Sequence, residues 1–277
     1  MSYETLRIER EGHVARLIIN RPATMNSLTG EFIDEFPRAF EELGADEETR
    51  VIIFKGAGKA FSVGFDHSVN MEALGFEDAL TEVMHSRRWL SGLFKIWDCP
   101  KVVIAQLHGW AVGWGGLPLL FCDLRYAAED FKVFYAAGVT GTHLPEIWSW
   151  FIGPTAAAEF GFRPTRRFPA TELEARGLLN GVFKNDELEQ RVEEIAAEIA
   201  VTHPSFLHAQ KLGLHRRFEL QGFREQIFQT KDFDALLHWS KMGRANFDRL
   251  QREFGGDRRK LEEAQRREDY WEDLPGN

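Results

Sequence analysis

The chain has 277 residues, 44% of them hydrophobic and 28% charged, with a formal net charge of −9. That length fits one large domain or a core domain with a helical appendage, and the acidic balance argues against nucleic acid as a partner. No apolar run approaches membrane-spanning length and no signal peptide is read, so the expectation is a cytoplasmic protein with no membrane partner.

Residues 5–9 and 13–19 alternate as strands around a turn at Glu11-Gly12. Thr29 is placed to cap a helix running to about Leu43, and Pro37 inside it predicts a kink or a division. Residues 51–55 are an apolar strand. Residues 77–97 read as a helix with Leu80, Met84, Trp89, Leu93 and Phe94 apolar; its Glu82 and His85 are lesser site candidates that a solvated face explains as well. Strands follow at 102–107, 124–128 and 131–134, with a buried helix at 117–122. This alternation argues an α/β layer structure with parallel strands. Cys99 and Cys122 sit in apolar surroundings and read as reduced, buried residues, neither a disulfide nor a metal pair.

From Thr171 the chain turns helical. Thr171-x-x-Glu174 has the pattern of a capping box. Residues 179–183 form a short extended piece, and Leu188, Val192, Ile195, Ala196 and Ile199 recur at helical spacing. More helices follow Pro204, then a charge-rich helix at about 257–269 and a loose tail at 273–277. The reading divides into an α/β core over 1–203 and a C-terminal helical region over 204–277.

Two segments suggest chemistry. Residues 108–116 read His-Gly-Trp-Ala-Val-Gly-Trp-Gly-Gly between an apolar strand and an apolar helix. Such a turn brings main-chain N–H groups and a helix start to one place, the physical recipe for holding negative charge on oxygen. Tight strand–helix packing also demands glycine, so this segment alone leaves both readings open. Residues 56–66, Gly-Ala-Gly-Lys-Ala-Phe-Ser-Val-Gly-Phe-Asp, follow another apolar strand. Two such units on one chain can face each other across one pocket.

Together with Ile19-Asn20-Arg21-Pro22-Ala23-Thr24-Met25-Asn26-Ser27-Leu28, the Cys99-Pro100-Lys101 lead into the strand at 102, and Cys122-Asp123-Leu124-Arg125-Tyr126, this set resembles the enoyl-CoA hydratase/isomerase (crotonase) superfamily. The ordered match covers roughly residues 5–215, and several motifs in order are more specific than any one. The resemblance implies a crotonase-like ββα superhelix core, an acyl-CoA thioester substrate, no cofactor beyond coenzyme A, no metal, and a homo-oligomer, a trimer or dimer of trimers. It assigns the N–H groups of Phe65 and Trp114 as donors to the thioester oxygen; one such donor is typically worth roughly 2.7–4 kcal/mol in the transition state. It places Ala60, Gly64 and Asp66 along the adenine and pantetheine, and Met25 on the adenine side. Phe65 and Trp114 stand where the family usually has a small residue and a glycine. A backbone donor survives that change where its dihedrals suit a side chain.

The family's hydratases use two glutamates. Their places here are Leu117 and, near the second, Ala137, so paired-carboxylate hydration is not supported. The segment 138–148 supplies the replacements, His143 and Glu146. Either fits an acid/base role, while Pro145-Glu146 equally suits a helix first turn whose carboxylate complements the dipole. His67 follows Asp66 and is a lesser candidate. His108 ends a buried strand and reads as structural, and His203, His208, His215 and His238 show no ligand spacing. By the resemblance Phe65, Trp114 and Trp148 lie near the site, and aromatic walls favour a flat, cyclic or aromatic acyl group. Three functions stay open. The first is an isomerase or lyase-type enzyme working through an enolate. The second is a carbon–carbon bond hydrolase of a cyclic β-diketone using a His143–Glu146 dyad. The third is an acyl-CoA-binding protein without chemistry.

Overall fold

The computed structural model describes residues 2–66, 77–134, 145–163, 166–255, 260, 263–264, 267 and 270. Elements run β1 (Leu6–Glu11), β2 (Val14–Ile19), α1 (Gly30–Ala45), β3 (Val51–Gly56), α2 (Ala79–Trp97), β4 (Val102–Leu107), β5 (Trp110–Val112), α3 (Leu117–Phe121), β6 (Leu124–Ala128), β7 (Lys132–Phe134), α4 (Pro145–Phe162), β8 (Arg167–Pro169), α5 (Ala170–Ala175), β9 (Gly181–Phe183), α6 (Leu188–Ala200), α7 (Pro204–Leu220), α8 (Phe223–Trp239) and α9 (Lys241–Phe254). The expected α/β architecture and the helices after Pro204 are present. The chain forms two compact units. One takes residues up to 65, 89–134 and 167–224; the other takes 66–88, 135–166 and everything from 225.

The first unit holds a six-stranded sheet in the order β1-β2-β3-β4-β6-β9 and a three-stranded sheet in the order β5-β7-β8. The β1–β2 hairpin is antiparallel and every other pairing in the large sheet is parallel. A central parallel strand is covered on both faces, which is why β3 reads as a nearly continuous apolar run. Val51 and Ile53 join Val14, Ile104 and Ala128 against Leu188, Val192, Ala196 and Ala200 of α6. Phe54, which alternates with them in the pleat, packs on Phe36 and Phe40 of α1. Phe32, Phe36, Phe40, Phe54, Phe61 and Trp89 form one aromatic chain with ring centroids 5.0–5.9 Å apart.

Several local expectations meet tertiary structure differently. Thr29 caps α1 as expected, its Oγ1 accepting from Phe32 N at 3.4 Å. Pro37 does not divide that helix, which runs unbroken from Gly30 to Ala45. Buried Phe36 and Phe40 on either side of it outweigh the roughly 3 kcal/mol an interior proline costs. The capping box at Thr171 does not form. α5 starts at Ala170 after Pro169 with no side-chain cap, because β8 pairs with β7 up to Pro169 and Ala170 N then donates to Phe131 O. The expected helix at 77–97 begins at Ala79; its Trp89, Leu93 and Phe94 are buried, while Leu80 and Met84 are exposed. Most of the helix and all of the tail expected beyond residue 256 lie outside the described residues.

α7 is fastened to the sheet by a buried ion pair. Lys211 Nζ lies 2.8 Å from Asp123 Oδ2 and donates to Ile96 O and Lys101 O, both at 3.1 Å. Asp123 also accepts from Val103 N and faces His215 Nε2 at 3.2 Å, and His215 stacks on Trp97. Both cysteines are buried free thiols, and burial pushes Cys122 up to about 12.

The second unit has its own apolar interior, with Ile147, Trp148, Ile152 and Phe160 of α4 and Ile227 and Ala235 of α8 buried. Gly153, at φ +77°, breaks α4 ahead of Pro154. Among the described residues no helix is long and apolar enough to cross a membrane.

Replacing Lys211 with Met leaves Asp123 without its cation in a buried site. The expected cost is about 3–5 kcal/mol in urea unfolding at neutral pH. Burial alone would raise Asp123, but the His215 contact and the Lys211 ammonium outweigh it and hold the carboxyl below its usual range. The stabilisation is therefore present above the unfolded carboxylate value and lost as pH falls through the lower folded one. The gap between wild type and Lys211→Met should close in acid.

Candidate active site

The two glycine turns of the first unit meet main chain to main chain. Met25 and Asn26 adopt left-handed backbone, a conformation asparagine tolerates well. Buried Asn26 donates from Nδ2 to Ala57 O at 2.8 Å and Ala60 O at 2.7 Å, and its Oδ1 accepts from Arg21 N at 3.0 Å. Phe61 carries the aromatic chain of the core into the first turn. Ser62 N donates to Trp110 O and Val112 N to Ser62 O, so the turn lies along β5. Leu28 N donates to Gly64 O at 2.8 Å and Val63 N to Met25 O at 3.2 Å.

Glycine is required where the turns cross. Gly64 has φ +82°, and a Cβ there would lie 2.8 Å from Val112 O and 3.6 Å from Trp114 N. A Cβ on Gly115 would lie 2.6 Å from both Gly64 N and Ser62 O. Neither partner is a side chain that can swing away. The rings of Phe65 and Trp114 consequently sit together, centroids 5.2 Å apart. Trp114 belongs to the 3-10 turn Gly113–Gly116, which runs directly into α3. N–H groups at such a start are not consumed by the helix ladder. Leu117, where the resemblance looks for a glutamate, is buried apolar core.

The structure thus brings Phe65, Gly64 and Trp114 together and ties Met25 and Ala60 to the same loops. Ala60 is fully buried, whereas Met25 is half-exposed at 46%. Asp66 is half-buried. His108 is held by Gly58 O at 2.9 Å from Nε2, in keeping with a structural role. His67, His143 and Ala137 lie outside the described residues. Trp148, expected near the site, is fully buried and packs on Phe160.

In the second unit Glu146 opens α4, half-buried. Burial pushes its carboxyl up and the nearby Asp234 carboxylate adds to this, against a hydrogen bond from Thr230. A carboxyl lifted by burial keeps its proton to a higher pH than an exposed glutamate does.

The solvated face expected for Glu82 is overturned. Glu82 is fully buried, its Oε1 2.7 Å from His238 Nδ1 and 3.0 Å from Lys231 Nζ, its Oε2 accepting from Trp239 Nε1 at 2.8 Å. Lys231 also pairs with buried Asp234. Glu82 on α2 and Asp234 and His238, four apart on α8, offer three ligand atoms within 4.8 Å of one another, but the cation between the two carboxylates is the Lys231 ammonium. Reading the chain by period could not find Thr230, Lys231 and Asp234. α8 points these polar residues inward and leaves Phe233 and Leu236 68% and 66% exposed, the reverse of an ordinary surface helix.

Gly115→Ala places its methyl against two backbone atoms and should force the turns apart. The expected result is a loss of about 1–3 kcal/mol in thermal or denaturant unfolding. An unchanged melting profile would show that the turns do not touch.

Comparison with known proteins agrees with this architecture. The model of the enoyl-CoA hydratase/isomerase family matches residues 9–257. A peroxisomal Delta(3,5)-Delta(2,4)-dienoyl-CoA isomerase from Arabidopsis thaliana is 34% identical over 240 residues, 79% of this chain and 84% of that protein. A probable enoyl-CoA hydratase from Mycobacterium bovis is 29% identical over 246 residues, 85% of this chain and 90% of that one. The crystal structure of an enoyl-CoA hydratase/isomerase from Xanthobacter autotrophicus Py2 superimposes with a TM-score of 0.84 at 28% identity, covering 93% of this chain and 99% of that one. With nearly its whole length matched, the chain belongs to the enoyl-CoA hydratase/isomerase family of enzymes, the crotonase superfamily.

Proposed function

We propose that the enzyme acts on an acyl-CoA thioester through an enolate and moves a proton with one carboxylate, as an isomerase or lyase-type enzyme and not as a paired-glutamate hydratase. The observation that carries this reading is the replacement of the first expected glutamate by buried Leu117, while Glu146 keeps a carboxyl raised by burial. The relative named as a dienoyl-CoA isomerase supports the same direction.

In the proposed reaction the N–H groups of Phe65 and Trp114 donate to the thioester oxygen. Ionised Glu146 takes a proton from carbon. The C–H electron pair becomes the new carbon–carbon double bond, and charge passes to the oxygen, where two fixed donors stabilise it. Return of the proton from Glu146 to another carbon of the dienolate shifts the double bond with no net gain or loss of atoms. His143 is the alternative acid/base group. Met25, Ala60, Gly64 and Asp66 are proposed to border the coenzyme A, and the paired Phe65 and Trp114 rings favour a flat or cyclic acyl group.

A homo-oligomer is also proposed, a trimer or dimer of trimers. Leu80 and Met84 of α2 and Phe233 and Leu236 of α8 are large apolar side chains left exposed on one chain, as surfaces that meet a partner are. Light scattering should give a multiple of the single-chain mass, and Phe233→Asp should lower it. A wild-type mass equal to one chain would end this part of the reading.

Deuterium incorporation from heavy water into linear, cyclic and aromatic acyl-CoA thioesters tests the chemistry, read by mass spectrometry. Exchange on at least one member is expected, and Glu146→Gln should slow it about 100-fold or more with little change in KM. The acid limb of kcat should lie above the ordinary glutamate value, because only the ionised form takes the proton and burial holds Glu146 up. Wild-type exchange in Glu146→Gln and loss of it in His143→Ala would move the role to His143. Binding without exchange would leave an acyl-CoA-binding protein, and neither binding nor exchange would direct attention to cyclic β-diketones.

A further inference from the structure

Ser62 joins three segments of the first unit. It is fully buried. Its main chain is spent on β5, Ser62 N donating to Trp110 O at 3.1 Å and Ser62 O accepting from Val112 N at 3.0 Å. Its side chain grips elsewhere: Oγ donates to Asn26 O at 2.7 Å and accepts from Gly64 N at 3.3 Å. The main chain thus holds the strand that leads to Trp114, and the hydroxyl holds the loop at 25–28 and the residue before Phe65.

That loop bears on the Phe65 N–H through one peptide plane. Val63 N donates to Met25 O at 3.2 Å and Leu28 N to Gly64 O at 2.8 Å, with a parallel bridge between Leu28 and Phe65. Gly64 O and Phe65 N belong to the same peptide unit, which is planar and trans, so its C=O and N–H point opposite ways. Leu28 takes up the carbonyl and leaves the Phe65 N–H turned to the other side. Among the described residues that N–H donates to no acceptor. Gly64, at φ +82°, restrains the plane least of all residues, so its direction has to come from outside ties.

We propose that Ser62 is a positioning residue for the oxyanion donor: its hydroxyl clamps the loop at 25–28 to the turn, so that Leu28 holds the Gly64–Phe65 peptide with the Phe65 N–H aimed at the thioester oxygen. This rests on the reading of the Phe65 N–H as a donor to that oxygen. A donor fixed before the reaction costs no reorganisation when charge develops, and a misplaced one loses much of its effect.

Ser62→Ala in the full-length protein tests this, because it leaves the main chain on β5 and removes only the clamp. The probes are butyryl-CoA, cyclohexylacetyl-CoA and phenylacetyl-CoA in heavy water. At saturation the variant should exchange α-protons about 10-fold more slowly than wild type, with KM changed less than about twofold. The infrared carbonyl band of the bound thioester, lowered in frequency by the donors, should be lowered less in the variant. Backbone hydrogen exchange should speed up at Leu28 and not at Val112. A merely structural role would lower the melting temperature and leave kcat and the band of the folded enzyme as in wild type. Slower turnover at unchanged KM with a smaller band shift supports the proposal. A kcat equal to wild type, a loss confined to KM, or an unchanged Leu28 amide overturns it. If Ser62→Ala does not fold, Ser62→Cys, close in shape and a weak donor, is held to the same outcomes. A wild type that exchanges none of the three thioesters ends the donor reading and this proposal together, whereas wild-type exchange matched by the variant ends the proposal alone.

Discussion

The first unit depends on one constraint: two polypeptide turns must pass each other with nothing between their main chains. Gly64 lies against Val112 O and the Trp114 backbone, and Gly115 lies against Gly64 N and Ser62 O. Backbone groups this close must be paired or they cost the full desolvation penalty. The surrounding residues meet that demand. Ser62 exchanges hydrogen bonds with β5, its Oγ donates to Asn26 O at 2.7 Å, and Asn26 in turn gathers Ala57, Ala60 and Arg21. Phe61 then transmits the rigidity of the aromatic core to the turn. The large sheet and α1 can be understood as the frame that holds this crossing in register.

The second unit solves a different problem. α8 turns Lys231 and Asp234 inward and Phe233 outward, so its interior is partly ionic. Replacing such a cluster with apolar residues is often neutral or stabilising, which means that stability alone does not account for it. The cluster is held by its own partners instead, Lys231 between the two carboxylates and His238 and Trp239 on Glu82.

What the sequence made legible follows from the range of the forces involved. Strands β4 and β6 were readable to the residue, β4 because a strand buried on both faces needs a mostly apolar run and β6 because it follows the glycine turn in the ordered match. Thr29 was readable as a cap because capping is local. The two glycine turns were legible as a pair because each follows such a strand. Thr171 and Glu82, and Pro37 as a divider of α1, were misread for one reason. Each has a strong local preference, and each was overruled by partners far along the chain: the aromatic stack for Pro37, β7 pairing for Thr171, and His238 with Lys231 for Glu82. The α8 cluster gave no clear periodic signal, since its buried face mixes Ile227 and Ala235 with Lys231 and Asp234 while Phe233 and Leu236 are exposed. A lysine and an aspartate three apart on a helix look solvated until the opposite face is known to carry Phe233 and Leu236.

The two kinds of catalytic group proposed for this enzyme tolerate change differently. An oxyanion donor supplied by the main chain depends on where the backbone runs, so Phe65 and Trp114 can stand where smaller residues are usual provided Gly64 and Gly115 keep the turns in contact. Their rings then become walls, and what they alter is the shape of the acyl group admitted. A proton carrier is different: Leu117 cannot be repaired by any backbone arrangement, because the chemistry resides in the side chain itself. On the proposed reading, a chain that keeps the glycines and has leucine at that position keeps the backbone donors for an enolate without the paired carboxylates of a two-glutamate hydratase. In the proposed single-base reaction the chemistry begins and ends with the same proton-carrying group, so that one side chain must both take a proton and return it.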